Sequence, residues 1–237
     1  VIIWAGTSNK DVGMIVEHYP RVIIPQRLQE IQQVPGRNDA IVLPTGAFQN
    51  YEQQYQVFLD AKYIGGLEQA MPKVIDWLLG NEGYHRLEDS YFPDVYRMAY
   101  YSGGSEFVSM FNEYGEGTLS FNCAPEKYYK FGEREIILEK NQVLRNPSAF
   151  AALPLIYITG NSALSGTLSF NGNIVTITEV PASATIDVKA HRIYNGAVSY
   201  SNKLSGSYDD LKLGKETEIT WSGGIRTVKL IPRWWTI

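Results

Sequence analysis

The sequence predicts a mainly β protein carrying one α-helix, and three observations lead there. Short runs rich in Val, Ile, Tyr and Phe recur along the chain, separated by Gly, Pro, Asn and Asp, the residues that close turns. The palette of 16 Tyr, 21 Gly and a single Cys suits many strands and many turns. The apolar repeat changes from alternation to helical spacing in one stretch only, Leu67 to Leu79. A chain of 237 residues is long enough for one large β domain or two of ordinary size, and it can bury a core without disulfide or metal staples. A shift in composition after Asn146-Pro147-Ser148 favours two domains, an N-terminal β domain with the helix over 1–135 and a C-terminal β-sandwich over 136–237.

In the first domain, Val1-Ile2-Ile3-Trp4 reads as a short strand, and Val12 to His18 as a second one that pairs with the strand after Pro20. From Tyr19 to Ala40, Val22 and Ile24 alternate and Leu28 and Ile31 follow at the wider spacing that a bulge or bend gives, predicting a long, half-buried strand. It ends in the turn Pro35-Gly36-Arg37-Asn38-Asp39, where Pro fixes φ and Gly accepts a positive one. Tyr55 to Tyr63 is the next strand. Leu67, Ala70, Met71, Val74, Ile75, Leu78 and Leu79 then form one helical stripe, with Pro72 assigned to the first turn and Gly80 as the stop. Strands resume at Tyr84–Leu87, Val95–Tyr101, Phe107–Phe111 and Gly117–Cys123, separated by turns at Gly103-Gly104 and Gly115-Glu116-Gly117.

Beyond the strand at Ile136–Leu138 and the polar linker Asn146-Pro147-Ser148, aromatics thin out and short strands recur at sandwich-like spacing: Leu155–Thr159, Gly166–Phe170, Ile174–Thr178 and Thr185–Val188. Asn171-Gly172 is a two-residue hairpin signal. Ile219–Trp221, Gly223-Gly224 and Thr227–Ile231 read as a closing hairpin.

The net charge of −4 argues against a grip on nucleic acid, which needs a basic face. No apolar run reaches the length of a membrane span and no signal-peptide pattern opens the chain, so a soluble protein made in the cytoplasm is expected. Cys123 has no histidine near it in sequence and reads as a buried small hydrophobe rather than a catalytic thiol. His18, His85 and His191 lack ligand-like spacing. Glu88-Asp89 and Asp209-Asp210 are adjacent acids in turn-like settings, expected to be solvated rather than to face each other across a substrate. Ser102-Gly103-Gly104-Ser105 precedes a strand and cannot aim a helix N-terminus at a phosphate. No catalytic, cofactor-binding or metal-binding set emerges, and no cofactor is expected. Trp234 and Trp235 would point to opposite faces of a sheet, one of them sealing a core.

The residues that do carry a functional signal are charged and non-catalytic. Arg27, Glu30, Arg37 and Asp39, with the polar Asn38 between the last two, set charges of both signs along a strand and its turn, which suits a repeated contact between subunits. An ordinary solvated face would carry the same charges.

The same stretch resembles the distal tail protein (Dit) family of long-tailed bacteriophages, in which an arginine-bearing strand enters a Val-Pro-Gly-Arg-Asp-Gly-like turn. Here Asn38-Asp39-Ala40 stands in place of the Asp-Gly. Further likenesses follow in order: Trp77-Leu78-Leu79 closing the helix, Tyr96-Arg97-Met98-Ala99-Tyr100 after it, and Phe121-Asn122-Cys123-Ala124-Pro125 with Tyr128-Tyr129. In the second half Pro154–Gly160, Ile186-Asp187-Val188 and Pro232-Arg233-Trp234-Trp235 are similar to the landmarks of that family's galectin-like sandwich.

The resemblance implies a structural, non-enzymatic virion protein at the tail tip, made in the host bacterial cytoplasm. Its N-terminal domains would form a homo-hexameric ring with the galectin-like domains projecting outward. The ring would join the tail tube protein to a tail-associated fibre or lysin-type protein, with receptor-binding proteins as further candidates, and DNA would pass through without being bound. A carbohydrate-binding module recognising host cell-wall polysaccharide, with Tyr194, Tyr200 and Tyr208 available for sugar contacts, is the alternative. A cell-wall hydrolase is a third reading, for which no acid, base or metal set is visible.

Overall fold

The computed structural model describes residues 1–62, 65–110, 113–161 and 164–237. The chain forms two compact units, Val1–Lys127 with Ile237, and Tyr128–Thr236. Each has its own hydrophobic core.

In chain order the first unit contains β1 (Ile2–Trp4), β2 (Thr7–Ser8), β3 (Met14–Val16), β4 (Arg27–Gln32), β5 (Ile41–Phe48), β6 (Tyr51–Asp60), α1 (Leu67–Leu79), β7 (His85–Asp89), β8 (Val95–Tyr101), β9 (Phe107–Met110) and β10 (Tyr114–Tyr129). Seven of these strands make one sheet in the order β2-β1-β7-β8-β10-β6-β3, and β9 pairs with the start of β10. Tyr63 and Phe111, expected as strand ends, lie outside the described residues. The strand near Val12 pairs with β6 and not with the segment after Pro20, which has no ladder of its own before Arg27. Gly115 and Gly117, expected in a turn, sit inside β10. There Gly117 lets the Phe107 ring and the Glu106 carbonyl approach to where a Cβ would stand.

One face of this sheet is covered by α1. Leu67, Ala70, Val74, Trp77 and Leu78 are buried among Leu59, Leu87, Leu119 and Phe121. The Trp77 indole N–H donates to the Trp4 carbonyl at 3.2 Å, and the Trp4 indole N–H to the Ala99 carbonyl at 3.1 Å. The buried stripe is rotated from the expected one: Ile75 and Leu79 face solvent and Trp77 takes their place. Pro72 lies in the second turn rather than the first, on the exposed side, where its missing N–H interrupts the ladder away from the core. Gly80 ends the helix with a right-handed φ of −71°, its N–H donating to the Asp76 carbonyl.

The second unit continues with β11 (Ile136–Ile137), β12 (Gln142–Arg145), β13 (Leu155–Gly160), β14 (Gly166–Phe170), β15 (Asn173–Ile177), β16 (Ser183–Asp187), β17 (Arg192–Asn195), β18 (Val198–Ser199), β19 (Leu204–Ser205), β20 (Glu216–Gly223), β21 (Ile225–Ile231) and β22 (Trp235–Thr236). A six-stranded sheet, β11-β21-β13-β16-β17-β18, and a five-stranded one, β12-β20-β14-β15-β19, enclose a single core, the expected sandwich. Asn171-Gly172 closes β14 onto β15 with φ of +51° and +85°, the paired positive values of a tight hairpin. Trp234 is buried in the core, while Trp235 stacks on Phe150 at 4.7 Å.

Two expectations fail in this unit. β20 and β21 do not form a hairpin: β20 pairs with β12 and β14, β21 with β11 and β13, so Gly223-Gly224 is an arch between sheets. Gly224 donates to the Ser165 carbonyl, and a Cβ there would meet the Leu164 oxygen at 2.8 Å, which keeps the arch tight. Asn146-Pro147-Ser148 is not a solvated linker either. Asn146 is buried and its amide donates to the carbonyls of Phe150 and Leu213 at 2.8 and 3.2 Å, pinning a corner of the sandwich.

Candidate interaction surface

The five charged and polar candidates fall on one element. β4 and β5 form a two-stranded ribbon whose ladder joins no other sheet among the described residues. The register slips between Arg27 and Gln29, an irregularity of the bulge-or-bend kind that the spacing of the apolar residues implies. Contrary to the expected half-buried strand, every residue of β4 is exposed, and so is β5 up to Phe48. Ile31 pairs with Val42 on one face, Glu30 with Leu43 and Gln32 with Ile41 on the other. Ile31 and Val42 are 67% and 51% exposed, and Val22 and Ile24 leading into the ribbon are 70% and 81% exposed.

A hairpin of this kind is marginal by itself. Among its local contacts, the Thr45 hydroxyl donates to the Leu28 carbonyl at 2.7 Å, and the Arg27 guanidinium lies 4.7 Å from the centre of the Phe48 ring. At the tip, the Arg37 N–H donates to the Val34 carbonyl at 3.1 Å across Pro35-Gly36, with Gly36 at φ +82°, the geometry of a type II turn. Arg37 and Asp39 pair with each other, Nη2 to Oδ2 at 2.9 Å and Nε to Oδ1 at 3.3 Å, both largely exposed. Asn38 lies between them, exposed, and Glu30 sits in mid-ribbon. Sequence reasoning found the charges but missed the apolar side chains around them, because exposed and buried Val and Ile read alike in a strand.

A second surface of the same unit is acidic. Glu17, Gln54, Gln56, Glu106, Glu116 and Ser120 are among the residues lining a cleft of about 720 Å³, and among the described residues no basic side chain lines it. On β6 beside it, hydrogen bonds from Gln54 and Ser120 hold the Glu52 carboxyl below its ordinary range, so it stays ionised.

The residues weighed for catalysis are otherwise engaged. Cys123 is fully buried, and burial pushes its thiol up to about 12, far from a reactive thiolate. Asp89, expected in solvent, is buried in an ion pair with Arg97 at 2.7 Å and accepts from the Tyr55 hydroxyl and the Tyr91 and Phe92 N–H groups. Asp209 pairs with Lys212, and Asp210 accepts from the Ser207 N–H as part of a capping box. His85 approaches the Glu82 carbonyl and His191 stacks on Tyr208. Among the described residues no three His, Cys, Asp or Glu converge on a metal position, and no helix is long and apolar enough to cross a membrane.

No family model and no curated protein matches the sequence. Solved structures do. The phage p2 baseplate in its activated conformation with Sr aligns at 10% identity over 92% of this chain and 90% of that one, with a TM-score of 0.49. The SPP1 Dit (gp 19.1) protein, a paradigm of the hub adsorption apparatus in phages infecting Gram-positive bacteria, aligns at 12% identity over 97% of this chain and 96% of its own, with a TM-score of 0.71. At almost full length on both sides, the chain has the mainly β, one-helix fold of a phage distal tail protein.

Proposed function

We propose that this is a structural, non-enzymatic protein of a phage tail tip, a hexameric ring hub that joins the tail tube to the adsorption apparatus. The observation that carries the reading is the fold match along nearly the whole of both chains. The ribbon supports it physically. An unpaired, two-sided apolar strand pair is a template for pairing with another chain, and burying it stabilises an assembly by ~25 cal/mol per Å² of apolar surface. Arg27, Glu30, Arg37, Asn38 and Asp39 are its polar frame and set register between copies. The second unit is assigned the role of an outward-projecting, galectin-like module, and the partners are the tail tube protein above and a fibre or lysin-type protein below, with receptor-binding proteins as a further contact.

The acidic cleft suits a lumen wall. A surface with Glu17, Glu106 and Glu116 and no lining cation repels phosphates, which favours passage of DNA over retention.

Mass measurement on the purified chain tests the ring. Multi-angle scattering should give a single species of about six chains, and residues 1–135 expressed alone should still oligomerise while 136–237 should not. A monomeric full chain at high concentration contradicts the ring, and oligomers formed only by the second segment reverse the roles of the two parts.

A further inference from the structure

The dipeptide Asn-Gly occurs twice in the second unit, as Asn171-Gly172 and Asn195-Gly196, and both stand at hairpin turns. A glycine has no Cβ to keep its backbone nitrogen away from a neighbouring group. That nitrogen can therefore attack the amide carbon of the asparagine side chain before it. In an unfolded chain the two sites would react alike, but the structure sets them in opposite surroundings.

Asn171 is held. Its Oδ1 accepts from the Glu218 N–H at 2.7 Å, and its Nδ2 donates to the Glu216 carbonyl at 2.9 Å. Both partners are backbone groups of β20, and β14 lies between β20 and β15 in the five-stranded sheet. Reaching the Gly172 nitrogen would break both bonds and turn a left-handed residue, φ +51°, within a hairpin of two interior strands.

Asn195 is loose. It ends β17 and pairs with Val198 across the two-residue turn Gly196-Ala197, with Gly196 at φ +56°. Among the described residues its exposed amide has one partner, the Ser183 hydroxyl at 3.1 Å. β18 is a two-residue edge strand, and its Val198 is 55% exposed. Opening the turn breaks two pairs, Asn195 with Val198 and Tyr194 with Ser199. It stops at Tyr200, whose N–H donates to the Ile193 carbonyl at 2.8 Å. Local openings of this size at an edge are the least costly that a fold allows.

We propose that Asn195-Gly196 is a site of spontaneous deamidation and that the fold spares Asn171-Gly172. The Gly196 nitrogen gives its proton to water and bonds to the Asn195 Cγ. The Cγ–Nδ2 bond breaks, and Nδ2 takes up a proton and leaves as ammonia. Water then opens the cyclic imide at one of its two C–N bonds. One opening leaves aspartate; the other leaves isoaspartate, with the backbone routed through the former side chain. Either product replaces the neutral donor facing Ser183 with a carboxylate, one more negative charge on a chain of net −4. Isoaspartate also lengthens the backbone by a methylene, which disturbs the register of β18 on β17. The inference rests on the second unit alone and stands whether or not the chain forms a ring.

Incubation of the full chain at mildly alkaline pH, native and in urea, followed by peptide mass spectrometry, tests it. In the native chain Asn195 should convert roughly tenfold or more faster than Asn171, with aspartate and isoaspartate peptides separated by chromatography. In urea the two rates should converge, because the protection of Asn171 comes from its bonds to β20. The proposal is overturned by equal rates at the two sites in the native chain or by Asn171 reacting first. It is equally overturned if Asn195 stays intact in the native chain over a time in which the urea-unfolded chain converts.

Discussion

Arg97 and Asp89 face each other inside the first unit, Nη1 to Oδ2 at 2.7 Å, with side chains 3% and 0% exposed. The pair is a product of adjacent strands: Leu87 pairs with Arg97 at the β7–β8 seam, and Asp89 lies two residues further along β7. Replacing Arg97 by Met leaves the carboxylate buried without a counter-charge, and the expected loss is about 3–5 kcal/mol. Urea denaturation of the full chain measures it. Adding Asp89→Asn to Arg97→Met should recover part of that loss, because the cost comes from the orphaned charge.

The helix offers a contrast between neighbours. Leu78 is 4% exposed and Leu79 is 62% exposed. Leu78→Ala should therefore destabilise by about 2–5 kcal/mol, and Leu79→Ala by under ~0.5 kcal/mol. Equal melting shifts for the two would contradict the packing of α1 on the sheet.

Asp187 gives the second unit a defined acid limit. Burial favours its neutral form, but hydrogen bonds from Arg233 and the Ala190 N–H, with the Arg233 charge, outweigh that and hold the carboxyl below its ordinary value. A depressed folded-state value means that the stabilisation is complete above the unfolded-state value near 3.8 and is lost as pH falls through the folded one. Thermal melts should thus be flat in this respect near neutrality and fall below about pH 4. Arg233→Gln should lower stability by ~1–3 kcal/mol at pH 7 and flatten that acid slope.

Arg37 separates folding from assembly. Its bond to Asp39 is solvated at both ends, so Arg37→Ala should change subunit stability by under ~0.5 kcal/mol. If the turn crosses a subunit boundary, truncation there costs ~2–5 kcal/mol per contact, and a ring repeats it at each boundary. Circular dichroism and sedimentation on one sample should report a folded chain that assembles poorly. A variant that still closes the full ring at low concentration and high salt moves the contact to Arg27 and Glu30.

Much of this architecture is legible without coordinates, for local reasons. The span Leu67–Leu79 is readable because helical spacing ends at Gly80, and β14–β15 because Asn171-Gly172 accepts the two positive φ values that a tight hairpin requires. What sequence cannot convey is partnership. β20 and β21 carry the same alternation whether they pair with each other or join opposite sheets, and a Gly-Gly link permits both. Asp89 and Asn146 look like solvated turn residues because their partners, Arg97 and the Leu213 carbonyl, come from elsewhere in the chain. The charged frame of the ribbon was visible; the exposure of Ile31 and Val42 was not, since β-branched residues signal a strand and not what covers it.

The arch at Gly223-Gly224 also sets a timetable. β11 and β12, the first strands of the second unit, pair only with β21 and β20, the last long ones. Loop closure over such a span must be completed before either sheet is whole, which places this sandwich among slow folders, in the range of ~milliseconds to seconds. During synthesis β11 and β12 wait without partners until residues 216–231 have emerged, whereas β1 to β10 have all been made by then. A ribosome stalled before Glu216 would hold β11 and β12 with neither of their partner strands made.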